Sequence, residues 1–418
     1  MKILIYGINF APEPVGVGRY TGEMAAKLQQ VGHEVRVITA LPYYPEWTVA
    51  AQYSGLGYAF EEWRRMPVWR APLWVPFRPG GRKRVLHLLT FAVTTLPLLV
   101  RALFWRPNLV WMAAPAFVCA PGALAVAKLT GAKSWIHIQD FEVDIAFGMG
   151  LISGSRWKRA IFACESWLLK RFDRVSSISK AMVERAAAKG VPAARLLQVP
   201  NWADVKAVAP LRAASRYRAE LGIPADAVVA LYSGTMGEKQ GVDWLADAAL
   251  LLQGDTHVYM VLCGEGALRD LAFERCGHLP NLRFLPLQPV DKLGELLGLA
   301  DVHLLPQREI AAGMVMPSKL TGMLASGRPV VAMANPGTEL AEVVQTCGVV
   351  VAHGDVEGMV HAIRGLAGSH ALRSQLGAAA RAYADCHLAS DIVLRRLELE
   401  MLALTDPTQS TATETFGS

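Results

Sequence analysis

PQREIAAGMVMPSKLTGMLASGRPVVA, residues 306–332, follows the apolar run DVHLLP and holds a loop, a helix and the start of a strand. The expected order is strand, loop, a helix of about two and a half turns opening at Pro317 and closed by Gly327, then a strand from Pro329 to Met333. Pro317 suits the first helical position, where its missing N–H is lost anyway. Ser318 and Lys319 then place backbone N–H groups and a cation at the positive end of the helix dipole. Such an end attracts phosphate. A helix start without a ligand accounts for the same tripeptide, so the surrounding sequence has to separate the two.

The same half of the chain repeats the pattern upstream. Ala227 to Gly234 reads as a strand, followed by the loop SGTMGEKQG and the helix VDWLADAALLLQG; His257 to Cys263 reads as the next strand, followed by GEGALRDLA. Gly234, Thr235, Gly264 and Gly266 lie in these turns, where glycine-rich backbone can present N–H groups to an anion, and Lys239 and Arg269 are cations able to meet a diphosphate. A solvated surface charge is the alternative for each cation taken singly. Two such loops and the 317–319 helix start at one sheet edge argue for a phosphate site. Helices are expected near 338–345, 355–368, 370–385 and 389–403.

The first half opens with a strand, Lys2 to Ile8, the loop NFAPEPVGVG and a helix beginning near Arg19. Gly16-Val17-Gly18 lacks the third glycine of a dinucleotide fingerprint, and no acid closes the next strand, EVRVITA. Gly16 and Gly18 are expected to bring backbone close to a substrate phosphate, with a tight turn as the alternative. NLVWMAA and Lys133 to Ile138 are further strands, and the loop QDFEVDIAFGMG follows the second. Acids on a loop at a strand's carboxyl end face ligand. Asp140 is therefore the candidate to orient an acceptor hydroxyl or take its proton, against capping of the next helix, while Glu142 and Asp144 receive structural roles. Pro200-Asn201-Trp202-Ala203-Asp204 begins the crossing to a second domain.

With 418 residues and 52% hydrophobic composition, the chain has material for two cores. Six cysteines without a Cys-x-x-Cys pair fit reduced thiols in a cytoplasmic setting rather than a zinc ribbon or a disulfide framework. MKILIYGINF runs into a Pro/Gly loop and not into a small-residue cleavage site, so it reads as a strand and not a signal peptide. The net charge of +6 is unevenly spread. Arg64, Arg65, Arg70, Arg78, Arg82, Lys83 and Arg84 are interleaved with Trp69, Trp74 and Phe77, and no acid interrupts them. A basic, aromatic strip before an apolar helix is what an interfacial membrane segment needs. Val85 to Val100 is uncharged, but Pro97 interrupts it and Arg101 ends it, leaving less than the ~20 residues that spanning requires. The segment 63–105 is accordingly expected to lie in an anionic membrane surface, with a core helix as the alternative.

Taken together, Gly16, Gly18 and Arg19, Asn201 in PNWAD, Ser233-Gly234-Thr235-Met236-Gly237 with Lys239-Gln240-Gly241, Gly264-Glu265-Gly266 with Arg269, and Pro317-Ser318-Lys319 before LASGRPVVA resemble the retaining family 4 glycosyltransferases. The likeness runs from Lys2 to about Leu404, and within the family it is nearest to exopolysaccharide enzymes of the colanic acid type, described as fucosyltransferases. The resemblance implies a GT-B fold, two Rossmann-like α/β domains facing each other across a cleft. Residues 1–200 would take the acceptor and 201–385 the nucleotide sugar, a helix at 386–404 would return to the first domain, and 405–418 form a disordered tail. Two features depart from the family pattern. Gly322 and Met314 stand where a Glu-x7-Glu pair is common, with Glu309 off register, and Thr235 and Gln240 stand where the loop after the domain's first strand usually carries Arg and Lys.

The implied reaction is transfer of a hexose, with fucose among the candidates, with retention of configuration. Catalytic roles fall to Asp140, Lys239 and Lys319, and donor binding to Gly16, Gly18, Gly234, Thr235, Gly264, Gly266, Arg269, Pro317 and Ser318. No Asp-x-Asp pair occurs, so no metal and no cofactor are expected. The expected partners are a nucleotide-sugar donor, a GDP-sugar first, a lipid-linked saccharide acceptor and the inner face of the cytoplasmic membrane; nucleic acid is not one. Two other classes stay open here. A GT-B-shaped scaffold without catalysis would bind nucleotide and transfer nothing, and a nicotinamide enzyme would bind NAD.

Overall fold

The computed structural model describes residues 1–13, 16–53, 57–77, 80–142, 144, 155–308 and 316–406, with the backbone alone at 82, 155–158 and 239. Of the expected tail, Thr405 closes the last helix and 407–418 lie outside the described residues, as do Glu309, Met314 and the side chain of Lys239. The chain divides into two units, Met1–Val199 with the segment from Leu394, and Pro200–Val393.

The first unit is built on strands β1 (Lys2–Tyr6), β2 (Glu34–Ala40), β3 (Ala59–Trp63), β4 (Met66–Ala71), β5 (Leu109–Ala114), β6 (Lys133–Ile138), β7 (Arg174–Ser177) and β8 (Leu196–Gln198), in the order β3-β4-β2-β1-β5-β6-β7-β8. All neighbours are parallel except β3 and β4. Ile3 pairs with Val35 on one side and with Leu109 on the other, so the strand order reverses at β1. LVWMAA is apolar throughout because both faces of β5 are covered.

The second unit has β9 (Val228–Ser233), β10 (Val258–Cys263), β11 (Leu282–Leu285), β12 (Val302–Leu305), β13 (Val330–Met333) and β14 (Gly348–Val351) in the order β11-β10-β9-β12-β13-β14, all parallel. This is the doubly wound arrangement, and its order reverses between β9 and β12. Ligands of such sheets sit at the carboxyl ends of the strands beside that reversal.

Helices α1 (Gly16–Gln30), α2 (Gly81–Thr94), α3 (Leu96–Trp105) and α4 (Ala120–Thr130) belong to the first unit, and α5 (Val242–Leu251) and α6 (Lys319–Ala325) to the second; α7 (Ser390–Thr405) starts in the second unit and ends in the first. There Glu398 meets His33 at 3.2 Å and Glu400 meets Arg174 at 3.4 Å.

The expected basic strip is not one surface. Its first part is an antiparallel hairpin, with Arg64 and Arg65 at positive φ in the turn. Met66, Val68 and Arg70 alternate inward along β4, and Arg70 is fully buried. Its guanidinium donates to Glu61 (Nε to Oε1, 2.8 Å) and to the Ala40 carbonyl (3.0 Å), so this cation belongs to the core.

The helix that follows is also longer than expected. Pro97 sits in the first turn of α3, where it costs no hydrogen bond, and α2 and α3 run on with only Thr95 between them. Lys83–Trp105 spans 23 residues, which is ~34 Å and enough to cross a bilayer core. One face is nevertheless tied to the unit. His87, Phe91, Thr95, Leu99, Ala102 and Trp105 are buried. The Thr94 hydroxyl donates to the Pro72 carbonyl at 2.6 Å, Thr95 and Tyr6 hydroxyls lie 2.7 Å apart, and Trp105 Nε1 donates to Glu34 at 2.8 Å. The opposite face exposes Val85, Leu86, Leu89, Val93, Leu96, Val100 and Phe104, the last 86% accessible.

Candidate functional site

In the second unit, β9 and β10 end in the two glycine turns. Gly234 N–H donates to the Cys263 carbonyl (3.0 Å), Met236 N–H to Glu265 (2.8 Å), Gly264 N–H to Leu285 (3.0 Å), and Leu268 N–H to Met236 (3.0 Å). These N–H groups are spent inside the protein. The expectation that they present themselves to phosphate is therefore corrected at Gly234 and Gly264. Their glycines serve close approach instead, since a Cβ on Gly264, at φ +151°, would lie 1.9 Å from the Gly234 carbonyl oxygen, and one on Gly266 2.4 Å from the Met236 oxygen. Gly264→Ala is expected to destabilise this unit by about 3 kcal/mol or more, read as a fall in its denaturant midpoint.

Arg269 opens a helix and donates its N–H to Gly266 (3.0 Å). Its guanidinium stands 3.7 Å from Glu265 and 3.5 Å from Asp270, two loose contacts with exposed carboxylates, and its Nε has no hydrogen-bond partner among the described residues. Thr235 contributes a carbonyl, which accepts the Tyr232 hydroxyl at 2.5 Å. Pro317 is not the first helical residue. Helix α6 begins at Lys319 with Ser318 as its N-cap, and the Pro317 carbonyl accepts the Leu320 N–H at 3.0 Å in a tight preceding turn. The helix has seven residues, shorter than expected, and ends before Gly327 at φ +68°.

The fold carries the Lys319 side chain up to the β9 turn. Its Nζ lies under Gly234, 3.0 Å from where a Cβ would stand, and donates to the Tyr232 hydroxyl at 3.0 Å. The amine also faces the Tyr232 ring, 4.5 Å from its centroid. Burial disfavours the charged form and lowers its pKa to about 8. Among the described residues no carboxylate is within ion-pair distance of it. A partly buried ammonium with one hydrogen-bond acceptor among the described residues has N–H capacity left for an anion. Tyr232 was not legible as part of this site, because it stands in the apolar run VVALYS and reads as strand core.

In the first unit Gly16 and Gly18 lie in the first turn of α1, not in the preceding loop. A Cβ on Gly18 would be 2.8 Å from Glu13 Oε2, so Gly18 makes room for a side chain, not for a substrate. Glu13 is buried; its carboxylate accepts from Asn9 Nδ2 (2.9 Å) and from the N–H groups of Tyr43 (3.3 Å) and Tyr44 (3.1 Å), and burial raises its pKa. It staples the loops after β1 and β2. The rule that singled out Asp140, an acid on a loop after a strand, applies equally to Glu13. Asp140 follows β6 and raises the pKa of Tyr44 in second place to burial, which puts the carboxylate and the phenol at one edge. Glu142 has the structural role assigned to it, accepting the N–H groups of Ala116 (2.7 Å) and Phe117 (3.2 Å). Asp144 pairs with Arg185 and, at 2.8 Å, with Lys189.

Comparison with known proteins agrees with this architecture in both units. Residues 15–202 match a "Glycosyl transferase 4-like domain" and residues 227–369 match "Glycosyl transferases group 1". The colanic acid biosynthesis glycosyl transferase WcaI of Escherichia coli (strain K12) is 40% identical over 407 residues, 95% of this chain and 98% of the relative. The chain belongs to the GT4-like glycosyltransferases. Two solved structures share the GT-B fold of this glycosyltransferase. Sucrose-phosphate synthase from Thermosynechococcus elongatus superposes with a TM-score of 0.73 at 15% identity, over 96% of this chain and 98% of the other. Anabaena Alr3699/HepE in complex with UDP-glucose superposes with a TM-score of 0.69 at 16% identity, over 96% and 100%. In the glycosyltransferase a Cβ at Gly322 would meet Leu297 Cδ1 at 3.0 Å, so the acid that the family pattern often carries here would need Leu297 to shift.

Proposed function

We propose that this glycosyltransferase moves a hexose from a nucleotide sugar, with retention and without a metal, to a lipid-linked saccharide in exopolysaccharide assembly of the colanic acid type. The observation that supports it most is the Lys319 ammonium, held beneath the β9 turn at the strand-order reversal with no carboxylate within ion-pair distance among the described residues. The bond from the sugar's anomeric carbon to the diphosphate breaks as the bond to the acceptor oxygen forms on the same face. The acceptor's proton passes to a diphosphate oxygen. Lys319 meets the charge on the departing diphosphate, and Asp140 orients the acceptor hydroxyl. Charge stabilisation by these groups needs neither metal nor enzymic nucleophile.

The likeness to WcaI supports the pathway; a GDP-sugar stays the first donor to try, and the UDP-glucose complex of a structural neighbour brings UDP-sugars into the test. The exposed apolar face of α2–α3 supports a peripheral place on the inner surface of the cytoplasmic membrane, where a lipid-linked acceptor is met. Spanning would break the hydrogen bonds of Thr94, Thr95 and Trp105. The experiment is transfer of label from GDP-, UDP- and dTDP-sugars to lipid extracted from a polysaccharide-producing membrane, with NMR of the new anomeric centre and a chelator control. One donor should label the lipid, with its configuration kept and no loss on chelation. Nucleotide binding without transfer from any donor would overturn the proposal in favour of a scaffold.

A further inference from the structure

We infer that Tyr232 is a positioning residue of the transfer reaction, whose hydroxyl fixes the Lys319 ammonium beneath the Gly234 turn; this rests on the donor role proposed for Lys319. Tyr232 is fully buried in β9, so its hydroxyl has no water to turn to. It donates to the Thr235 carbonyl at 2.5 Å, and that bond fixes the direction of its lone pairs. One of them accepts the Lys319 N–H at 3.0 Å. The phenol thus links two parts of the site, the backbone of the β9 turn and the cation arriving from α6, 87 residues away in sequence.

Packing alone does not require the hydroxyl. Phenylalanine would fill the same volume and keep the ring face that lies 4.5 Å from Nζ. Without the hydroxyl the ammonium has no hydrogen-bond acceptor among the described residues and the Thr235 carbonyl loses its donor. An amine buried this way lowers its cost by losing its proton or by turning away from the turn. Either change leaves the diphosphate with a weaker partner, while the acceptor, bound elsewhere, is unaffected.

The test is Tyr232→Phe in the full chain, assayed with the labelling donor found above. A roughly tenfold fall in kcat is expected, the size of one hydrogen bond, with acceptor KM unchanged. The alkaline limb of kcat/KM should move to lower pH, because the charged amine has lost the acceptor that favours it. Unchanged kcat and an unmoved limb would overturn the inference. Lys319→Met separates the two levels: if that variant keeps full turnover, the donor role of Lys319 falls, whereas loss of turnover there with a silent Tyr232→Phe removes only Tyr232. Should Tyr232→Phe fail to fold, 3-fluorotyrosine at position 232 keeps the shape and makes the oxygen a poorer acceptor. The limb should again move down, and an unmoved limb would overturn the inference.

Discussion

Lys319→Met is expected to lower kcat by about 10²–10³-fold, the range seen when one preorganised charge-stabilising group is removed from an active site. Methionine keeps most of the length and apolar stem, so it fills the channel beneath Gly234 and removes only the charge. The fold should not suffer, since a largely desolvated cation with no carboxylate partner among the described residues is a cost that the variant relieves. The denaturation midpoint should therefore hold or rise while turnover collapses. The same residue sets the pH dependence. Its pKa is lowered by burial from an ordinary 10.5 to about 8. The unfolded chain then holds the proton between those two values and the folded chain does not, so the contribution to stability rises with pH across that window. Activity runs the other way. The ammonium is the working form, about nine-tenths populated at pH 7 and lost as pH passes through 8. kcat/KM, which reports the free enzyme, should fall with a limb near pH 8; kcat, which reports the complex, should fall later because a bound diphosphate favours the charged amine. A Lys319→Met enzyme with normal kcat, or a kcat/KM profile flat to pH 9, would sink the assignment.

The strand-turn-helix alternation made both sheets legible, because strands covered on both faces read as apolar runs and their turns as glycine clusters. What those glycines do was not legible. A turn shows that backbone approaches something, but whether that is a ligand or the next turn depends on β9 and β10 being neighbours, and here Gly264 faces the Gly234 carbonyl. The hairpin of β3 and β4 was hidden by its charges. Arg70 looks like one more surface cation until the strand's period of two places it on the inner face with Met66 and Val68, where Glu61 and two carbonyls receive it. Lys319 could be singled out from the tripeptide Pro317-Ser318-Lys319, although for a reason that the structure amends: the amine's seat beside Tyr232, not a Pro317 helix start, defines its place. The pairings of Tyr232 with Lys319 and of Glu13 with the N–H groups of Tyr43 and Tyr44 join positions 30 or more residues apart, and no local pattern marks such a pairing.

Leu89→Glu, Val93→Glu and Val100→Glu combined are expected to release the protein from membranes, cutting its partition onto anionic vesicles by more than about 10³-fold while leaving its fold and nucleotide binding intact. The three side chains are 44%, 63% and 53% exposed, whereas the contacts that tie the helices to the unit are made by the buried His87, Phe91, Thr95, Leu99, Ala102 and Trp105, so replacing the three leaves the packed face in place. On a bilayer each would otherwise bury apolar surface worth about 1.5–3 kcal/mol at most, and each glutamate adds repulsion from anionic headgroups. Lys83 and Arg84 stand at the start of the same stripe and Arg101 along it, with no acid on the α2–α3 helices themselves. Each is worth about 1 kcal/mol near an anionic surface, so Lys83→Gln with Arg84→Gln should cost about 30-fold and flatten the salt dependence. This charge pattern separates a bilayer from a second copy of the chain, because an isologous helix pair would bring cation stripe against cation stripe. Flotation with phosphatidylglycerol vesicles, compared with neutral phosphatidylcholine, reads the lipid term, and sedimentation reads the other. Equal flotation of wild type and triple variant would refute the docking face, and a wild-type dimer that the triple variant dissociates would assign the stripe to protein contact. Loss of flotation should be accompanied by a large rise in KM for lipid-linked acceptor and by little change in donor affinity, since α2–α3 belongs to the first unit and Lys319 to the second.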